Sequence, residues 1–281
     1  MKLLRHGPQG QEKPGLLDAR GRIRDLSDVV PDIAGPFLNA RWVAHLRSLD
    51  PETLPLVAGK PRLGPCIGSV SKVIGVGLNY ADHAAEAGVE PPLKPTLFMK
   101  APSSISGPDD DLVIPLGSDS TDWEVELALV IGEAVRHVTA ARALDHLAGY
   151  CVANDVTERA WVASSGQLLN GKCADSFTPL GPWLVTPDEI GTPQDLDLTL
   201  KLNGTQRQSG NTRTMVFPVA ELVSHISRCM TLLPGDVILT GTPPGTGMRS
   251  KPQRYLQVGD DLDLEITGLG QQRHRVAAAS V

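Results

Sequence analysis

The stretch Asp122-Trp123-Glu124-Val125-Glu126-Leu127-Ala128-Leu129-Val130-Ile131 changes character halfway along. Its first six residues alternate acid and apolar side chain. In a strand that period puts Asp122, Glu124 and Glu126 on one face and Trp123, Val125 and Leu127 on the other. Its last four residues are apolar without a break, the pattern of a strand buried on both faces. Alternating acids alone are most often a solvated strand face. Here they open into a buried strand, where unpaired like charges are costly and call for a counter-charge. A hard divalent cation supplies it, and an oxygen-only ligand set suits Mg²⁺, Mn²⁺ or Ca²⁺ better than zinc. Asp155 offers a third carboxylate at the end of a second apolar stretch, 149–154. By itself an acid at a strand end is an ordinary turn residue.

Outward from this strand the chain stays rich in β signals. Residues 73–76, 96–100, 124–131, 149–154, 183–186, 196–202, 237–240 and 262–266 read as strands. Two helical stretches interrupt them, 80–87 and 219–229, the second led by Pro218. Strands and helices do not alternate regularly, so a doubly wound parallel sheet is disfavoured. The expected fold is α+β and β-rich, a long mixed sheet rolled or folded over itself. Ahead of it, 1–4, 16–18 and 22–25 read as short strands and 39–49 as an amphipathic helix. Gly59, Pro61 and Gly64 punctuate the bridge that follows. The expected organisation is a small N-terminal α/β domain, 1–65, and a catalytic domain, 66–281.

Composition narrows the function classes. The 28 glycines and 23 prolines are spread through the 281 residues, which points to many turns rather than to a disordered tract. A net charge of −6 without a basic run argues against a nucleic-acid partner. The four cysteines form no C-x-x-C pair and read as reduced thiols. No apolar run is long enough to span a bilayer and the first ten residues are polar, so the expectation is a cytoplasmic protein without a membrane partner. Two nucleotide motifs fail. Gly75-Val76-Gly77 lacks the third glycine, since Tyr80 stands there; the Gly241–Gly247 loop ends in Met248-Arg249 where a Walker lysine and hydroxyl belong.

The segments GLNYADHAAEAG (77–88), DWEVELALVIG (122–132), GYCVANDVTERAW (149–161) and GKCADSFTPLGPWLVT (171–186) follow one another in this order. NTRTMVF (211–217) and LLPGDVILTGTPPGTG (232–247) come after them. The succession resembles the catalytic domain of the fumarylacetoacetate hydrolase family over residues 66–281. NTRTMVF, GTPPGTG and the short N-terminal domain are similar to bacterial hydrolases of 2,4-diketo-3-deoxy sugar acids, of the L-rhamnonate and L-fuconate type. The resemblance implies a mixed β-roll, usually a homodimer, acting on a small keto acid with Mg²⁺ or Mn²⁺. It implies Glu124, Glu126 and Asp155 as metal ligands, His83 and Glu86 as the pair that activates water, and Lys172 as stabiliser of an oxyanion or enolate. His83 and Glu86 fit that role because i, i+3 spacing lets them touch, and a carboxylate beside an imidazole fixes its tautomer. Thr242 and the amide of Gly241 are expected to seat a substrate carboxylate.

The implied reaction is hydrolysis of the carbon–carbon bond of a 2,4-diketo acid to pyruvate and a second acid. Decarboxylation of a β-keto acid such as oxaloacetate, isomerisation of a 2-oxo diacid, and silent keto-acid binding by an inactive paralogue are the competing readings. The chain departs from the family pattern at Ala160, Val162 and Ala174, where polar groups and an aromatic are usual. These positions bear on the substrate.

Overall fold

The computed structural model describes residues 1–279. In chain order the elements are β1 (Lys2–His6), β2 (Lys13–Leu17), β3 (Ile23–Asp25), α1 (Ala40–Ser48), β4 (Val73–Gly77), α2 (Ala81–Ala87), β5 (Thr96–Lys100), β6 (Ile105–Ser106), β7 (Leu112–Ile114), β8 (Thr121–Asp122) and β9 (Val125–Ile131). They continue as α3 (Ala140–Ala143), β10 (Leu147–Asn154), β11 (Thr157–Glu158), α4 (Arg159–Ser165), α5 (Leu168–Lys172), β12 (Thr178–Val185), β13 (Asp197–Leu202), β14 (Thr205–Asn211), α6 (Val219–Cys229), β15 (Val237–Leu239), β16 (Asp261–Ile266) and β17 (Gly270–Ala278).

Two sheets carry the architecture. The larger runs β3-β2-β1-β12-β10-β9-β15-β4-β5, with β6 pairing β12; the smaller runs β14-β13-β16-β17-β7. Pairing is mixed: β15 runs parallel to β4 and β7 to β17, while β9, β10 and β12 are antiparallel. This is the β-rich α+β arrangement expected from the sequence. β9 lies inside the large sheet and is buried along its whole length. Val125, Leu127, Leu129 and Ile131 join Leu198, Leu200, Leu262 and Leu264 of the second sheet in one core. Ala128 and Val130 face a second core with Leu3, Leu38 and Leu46. Burial on both faces explains the unbroken apolar run. The N-terminal strands extend the same large sheet, Leu3 pairing with Leu184.

Four departures from the sequence reading have physical reasons. The strand expected at 183–186 starts at Thr178, because Thr178 and Pro179 pair with β6 ahead of the hydrophobic run. β14 and β17 carry few apolar residues, yet the exposed edges of β13 and β16 recruit them. The run 162–169, which lies outside every strand and helix expected from the sequence, holds most of α4 and the start of α5. The strand expected to run on from Asp122 is interrupted at Trp123 and Glu124, between β8 and β9, and Asp122 lies outside the cluster formed by Glu124, Glu126 and Asp155. Among the described residues no helix is long and apolar enough to cross a membrane.

Candidate active site

The register of β9 against β10 brings the three carboxylates together. Glu126 lies opposite Ala153 and Val125 opposite Asn154. Beyond the last pair the Asp155 amide donates to the Glu124 carbonyl at 2.8 Å, and the Glu124 amide donates to Asn154 Oδ1 at 2.9 Å. Asn154 and Asp155 thus bracket Glu124 where the strand would otherwise fray. Ligand oxygens of Glu124, Glu126 and Asp155 lie within 4.8 Å of one another, all three residues buried. On the other side of β9 the chain leaves β15, and the Gly241 amide donates to Glu126 Oε2 at 2.7 Å. A side chain at Gly241 would sit 2.9 Å from Asn79 Cβ on a backbone of φ +98°, so glycine is required at this approach.

Three cations answer these acids. Lys172 Nζ bridges Glu124 (2.6 Å) and Asp155 (2.5 Å), Lys100 Nζ meets Asp155 at 2.5 Å, and Arg159 meets Glu124 at 2.6 Å. Burial pushes the Glu124 carboxyl up, but Lys172 and Arg159 outweigh it and hold Glu124 well below the carboxylate range. Glu126 has no such partner. Burial, reinforced by Asp155 and Glu124, raises its carboxyl well above the usual range. Burial lowers the Lys100 ammonium against the pull of Asp155. Lys172 is raised, because Asp155 and Glu124 overcome its desolvation. An all-oxygen donor set with one carboxylate lacking a cation fits a hard divalent ion.

Asp122 serves instead as a scaffold. Its carboxylate accepts from the amides of Gly247 (2.6 Å) and Met248 (3.1 Å) and from Arg159 Nε (2.8 Å). Lys100 and Arg159 were not singled out from the sequence, since a lone basic residue closing a strand or opening a helix carries no signal of its own. Lys172 rides at the end of α5, which packs so closely that a Cβ on Gly171 would meet the Glu158 carbonyl at 2.3 Å.

His83 lies on α2, whose entry is fixed by Asn79. The Asn79 side chain donates to the carbonyls of Thr240 (2.8 Å) and Phe217 (3.1 Å) and accepts from the Phe217 amide (2.9 Å). Leu78 just before it holds φ +53°, a left-handed conformation rare for leucine. His83 Nδ1 lies 2.9 Å from Glu86 Oε2, and Glu86 Oε1 accepts from the Gly245 amide at 3.0 Å. With Glu86 as acceptor the proton sits on Nδ1 and Nε2 is left as a base.

A cavity of about 360 Å³ collects these groups: His83, Glu124, Glu126, Asp155, Lys172 and Thr242 all line it. Glu86 backs His83 without lining it. The Thr242 hydroxyl donates to the Val125 carbonyl (2.9 Å) and accepts from Gln208 (2.8 Å), so it braces the backbone between Glu124 and Glu126 while the Gly241 amide holds the Glu126 carboxylate.

The C-terminal domain model of fumarylacetoacetate (FAA) hydrolases matches residues 72–277. The chain belongs to the fumarylacetoacetate hydrolase family. A Burkholderia multivorans relative, provisionally named a hydrolase, is 60% identical over 99% of this chain and 100% of its own length. The fumarylacetoacetate hydrolase of psychrophilic Exiguobacterium antarcticum is 37% identical with a TM-score of 0.87, covering 99% of this chain and 100% of that one. A 5-carboxymethyl-2-hydroxymuconate delta-isomerase of Mycobacterium smegmatis is 31% identical (TM-score 0.77, 100% of both chains). Maleylpyruvate hydrolase of Sphingobium sp. SYK-6, solved with manganese(II) and pyruvate, is 26% identical (TM-score 0.83, 100% of both chains). Proteins of this fumarylacetoacetate hydrolase fold thus include hydrolases and isomerases, and the mixed, strand-rich architecture is theirs.

Proposed function

We propose that this family member is a divalent-metal-dependent hydrolase that cleaves the carbon–carbon bond of a 2,4-diketo acid. The observation that carries the reading is the convergence of a buried carboxylate triad and the His83–Glu86 pair on one cavity. Hydrolysis needs both, a cation for the 2-oxo acid end and a base for water. Decarboxylation of a β-keto acid needs no base, so the dyad favours hydrolysis. The manganese and pyruvate in the maleylpyruvate hydrolase neighbour support the same reading.

Glu124, Glu126 and Asp155 would hold the cation, Mg²⁺ or Mn²⁺ in this reading, which would supply positive charge at the 2-oxo acid end of the substrate. His83 accepts a proton from water at Nε2, and Glu86 supports the imidazolium that forms. The water oxygen adds at C4, the C3–C4 bond breaks, C4 leaves as a carboxylic acid, and the enolate of pyruvate takes a proton at C3. Lys172 stabilises the developing negative charge. The sugar-acid resemblance extends the reading to a 2,4-diketo-3-deoxy sugar acid, whose tail is polyhydroxylated.

Incubation with a panel of 2,4-diketo acids and oxaloacetate, with pyruvate and CO₂ both assayed, tests the reading. Pyruvate from a diketo acid, abolished by a chelator, supports it. CO₂ from oxaloacetate alone, or an isomer without pyruvate, overturns it.

A further inference from the structure

We propose that Gln208, on the edge strand of the smaller sheet, is a positioning residue that fixes the His83–Glu86 pair relative to the carboxylate triad. The inference rests on reading triad and pair as two halves of one site.

The need for such a residue arises in β9. β15 pairs with β9 only from Ala128 to Val130. Past that point the segment carrying the acids has no strand on that edge, and a buried amide or carbonyl without a partner is costly. Thr240 covers the Leu127 carbonyl. At Val125, between Glu124 and Glu126, Gln208 replaces the missing strand: its Oε1 accepts from the Val125 amide at 3.0 Å. Its Nε2 donates to the Thr242 hydroxyl and to the Pro243 carbonyl, each at 2.8 Å. A hydroxyl that accepts from Gln208 turns its single proton elsewhere, here to the Val125 carbonyl. One side-chain amide therefore joins the segment bearing two of the acids to the loop that follows β15.

That loop touches both halves of the site. The Gly241 amide donates to Glu126 and the Gly245 amide to Glu86, whose other oxygen faces His83 Nδ1. Between the two glycines, Pro243 and Pro244 have no N–H with which to fasten the loop. The Gln208 bond to the Pro243 carbonyl anchors its middle. β14 lies close against it: a Cβ on Gly245 would collide with the Arg207 carbonyl, and one on Gly210 with the Pro243 ring. Gln208 is the one buried residue of β14, 0% exposed. An edge strand whose only buried side chain is a hydrogen-bonded amide adds little apolar packing. What it brings to the interior is Gln208.

The test uses the full chain, with Mg²⁺ affinity read by calorimetry and the His83 ring by ¹⁵N NMR of histidine-labelled protein, its signal identified by loss in His83→Ala. Gln208→Met keeps the length of the side chain and makes none of its three bonds. It should weaken Mg²⁺ binding about 10-fold, the worth of one buried hydrogen bond, and turn the fixed Nδ1–H tautomer of His83 into a mixture. Gln208→Glu keeps an acceptor for the Val125 amide but can donate to at most one of the two loop atoms, and should also give mixed tautomers. Gln206→Ala, exposed on the same strand, should change neither readout. A loss of thermal stability alone, with Kd and tautomer as in the parent, makes Gln208 a packing residue and overturns the proposal. So does a fixed tautomer in Gln208→Glu, the variant that decides if Gln208→Met does not fold. Neither readout needs turnover, so a parent that releases no pyruvate from any 2,4-diketo acid overturns the hydrolase reading and leaves the role of Gln208 standing.

Discussion

Glu126→Gln separates the cost of the carboxylate triad from its use. Glu126 is 2% exposed and forms no ion pair among the described residues, whereas Glu124 and Asp155 share Lys172, Arg159 and Lys100. Without a cation it is the carboxylate left over. Gln has the same shape, and its side-chain oxygen can keep the 2.7 Å bond from the Gly241 amide. Removing an uncompensated buried charge restores about 1–3 kcal/mol. At roughly 2–4 °C per kcal/mol, the variant should melt roughly 2–12 °C above the parent in EDTA. The sign with pH follows from the raised carboxyl. The neutral form is favoured in the fold, so the penalty is absent below the ordinary value of 4.5 and appears as pH rises through the folded value. The EDTA difference should therefore close as pH falls towards 4.5. With Mg²⁺ at about 100 times its Kd the parent gains about 2.7 kcal/mol, whereas a site with two carboxylates gains little. The melting order should invert between chelator and Mg²⁺. A variant that melts below the parent in EDTA, or equal shifts by Mg²⁺ in both proteins, refutes the reasoning.

Three further outcomes are expected. His83→Ala should cut 2,4-diketo acid cleavage by about 10²–10⁴, the worth of a general base, and should lower any oxaloacetate decarboxylation far less; equal losses in one preparation would show that His83 shapes the site generally. Gly171→Ala forces a Cβ to within 2.3 Å of the Glu158 carbonyl and 2.5 Å of Val162, displacing α5 and Lys172 with it. It should cost about 1–3 kcal/mol in a denaturant titration and more than about 10-fold in turnover; unaltered turnover would detach Lys172 from the chemistry. Because burial and the neighbouring acids raise the Glu126 carboxyl, Mg²⁺ must displace a proton there, so affinity should rise with pH and calorimetry in buffers of different ionisation enthalpy should register proton release. A pH-independent Kd would remove Glu126 from the ligand set.

How much of this was legible follows from what each residue needs around it. The unbroken apolar run that begins at Leu127 marks β9 as an interior strand, and the reading needs no other strand. Val219–Cys229 was read to the residue, because Pro218 sets its start and its apolar face has helical period. β17 escaped notice because its inward residues include Gln272 and His274. Gln272 satisfies three carbonyls, of Val152, Pro179 and Gly181, a role that exists only once the two sheets meet. The same limit applies to the site. Glu124, Glu126, Asp155, His83 and Lys172 were named before the fold, and they line one cavity. Lys100 and Arg159 were not, since what they do is hold other charged groups. Lys100 Nζ joins Asp155 to the carbonyls of Val156 and Phe177, a junction of segments far apart in sequence.

The most direct test of the hydrolytic reading is to cleave a 2,4-diketo acid with the Mg²⁺-loaded protein in water carrying the heavy oxygen isotope. Pyruvate and the second acid should appear in equal amounts, with heavy oxygen in the carboxylate of the second acid and no reaction in EDTA. Pyruvate without the label in that carboxylate, or consumption of substrate without pyruvate, would contradict attack by water at C4 and with it the central claim.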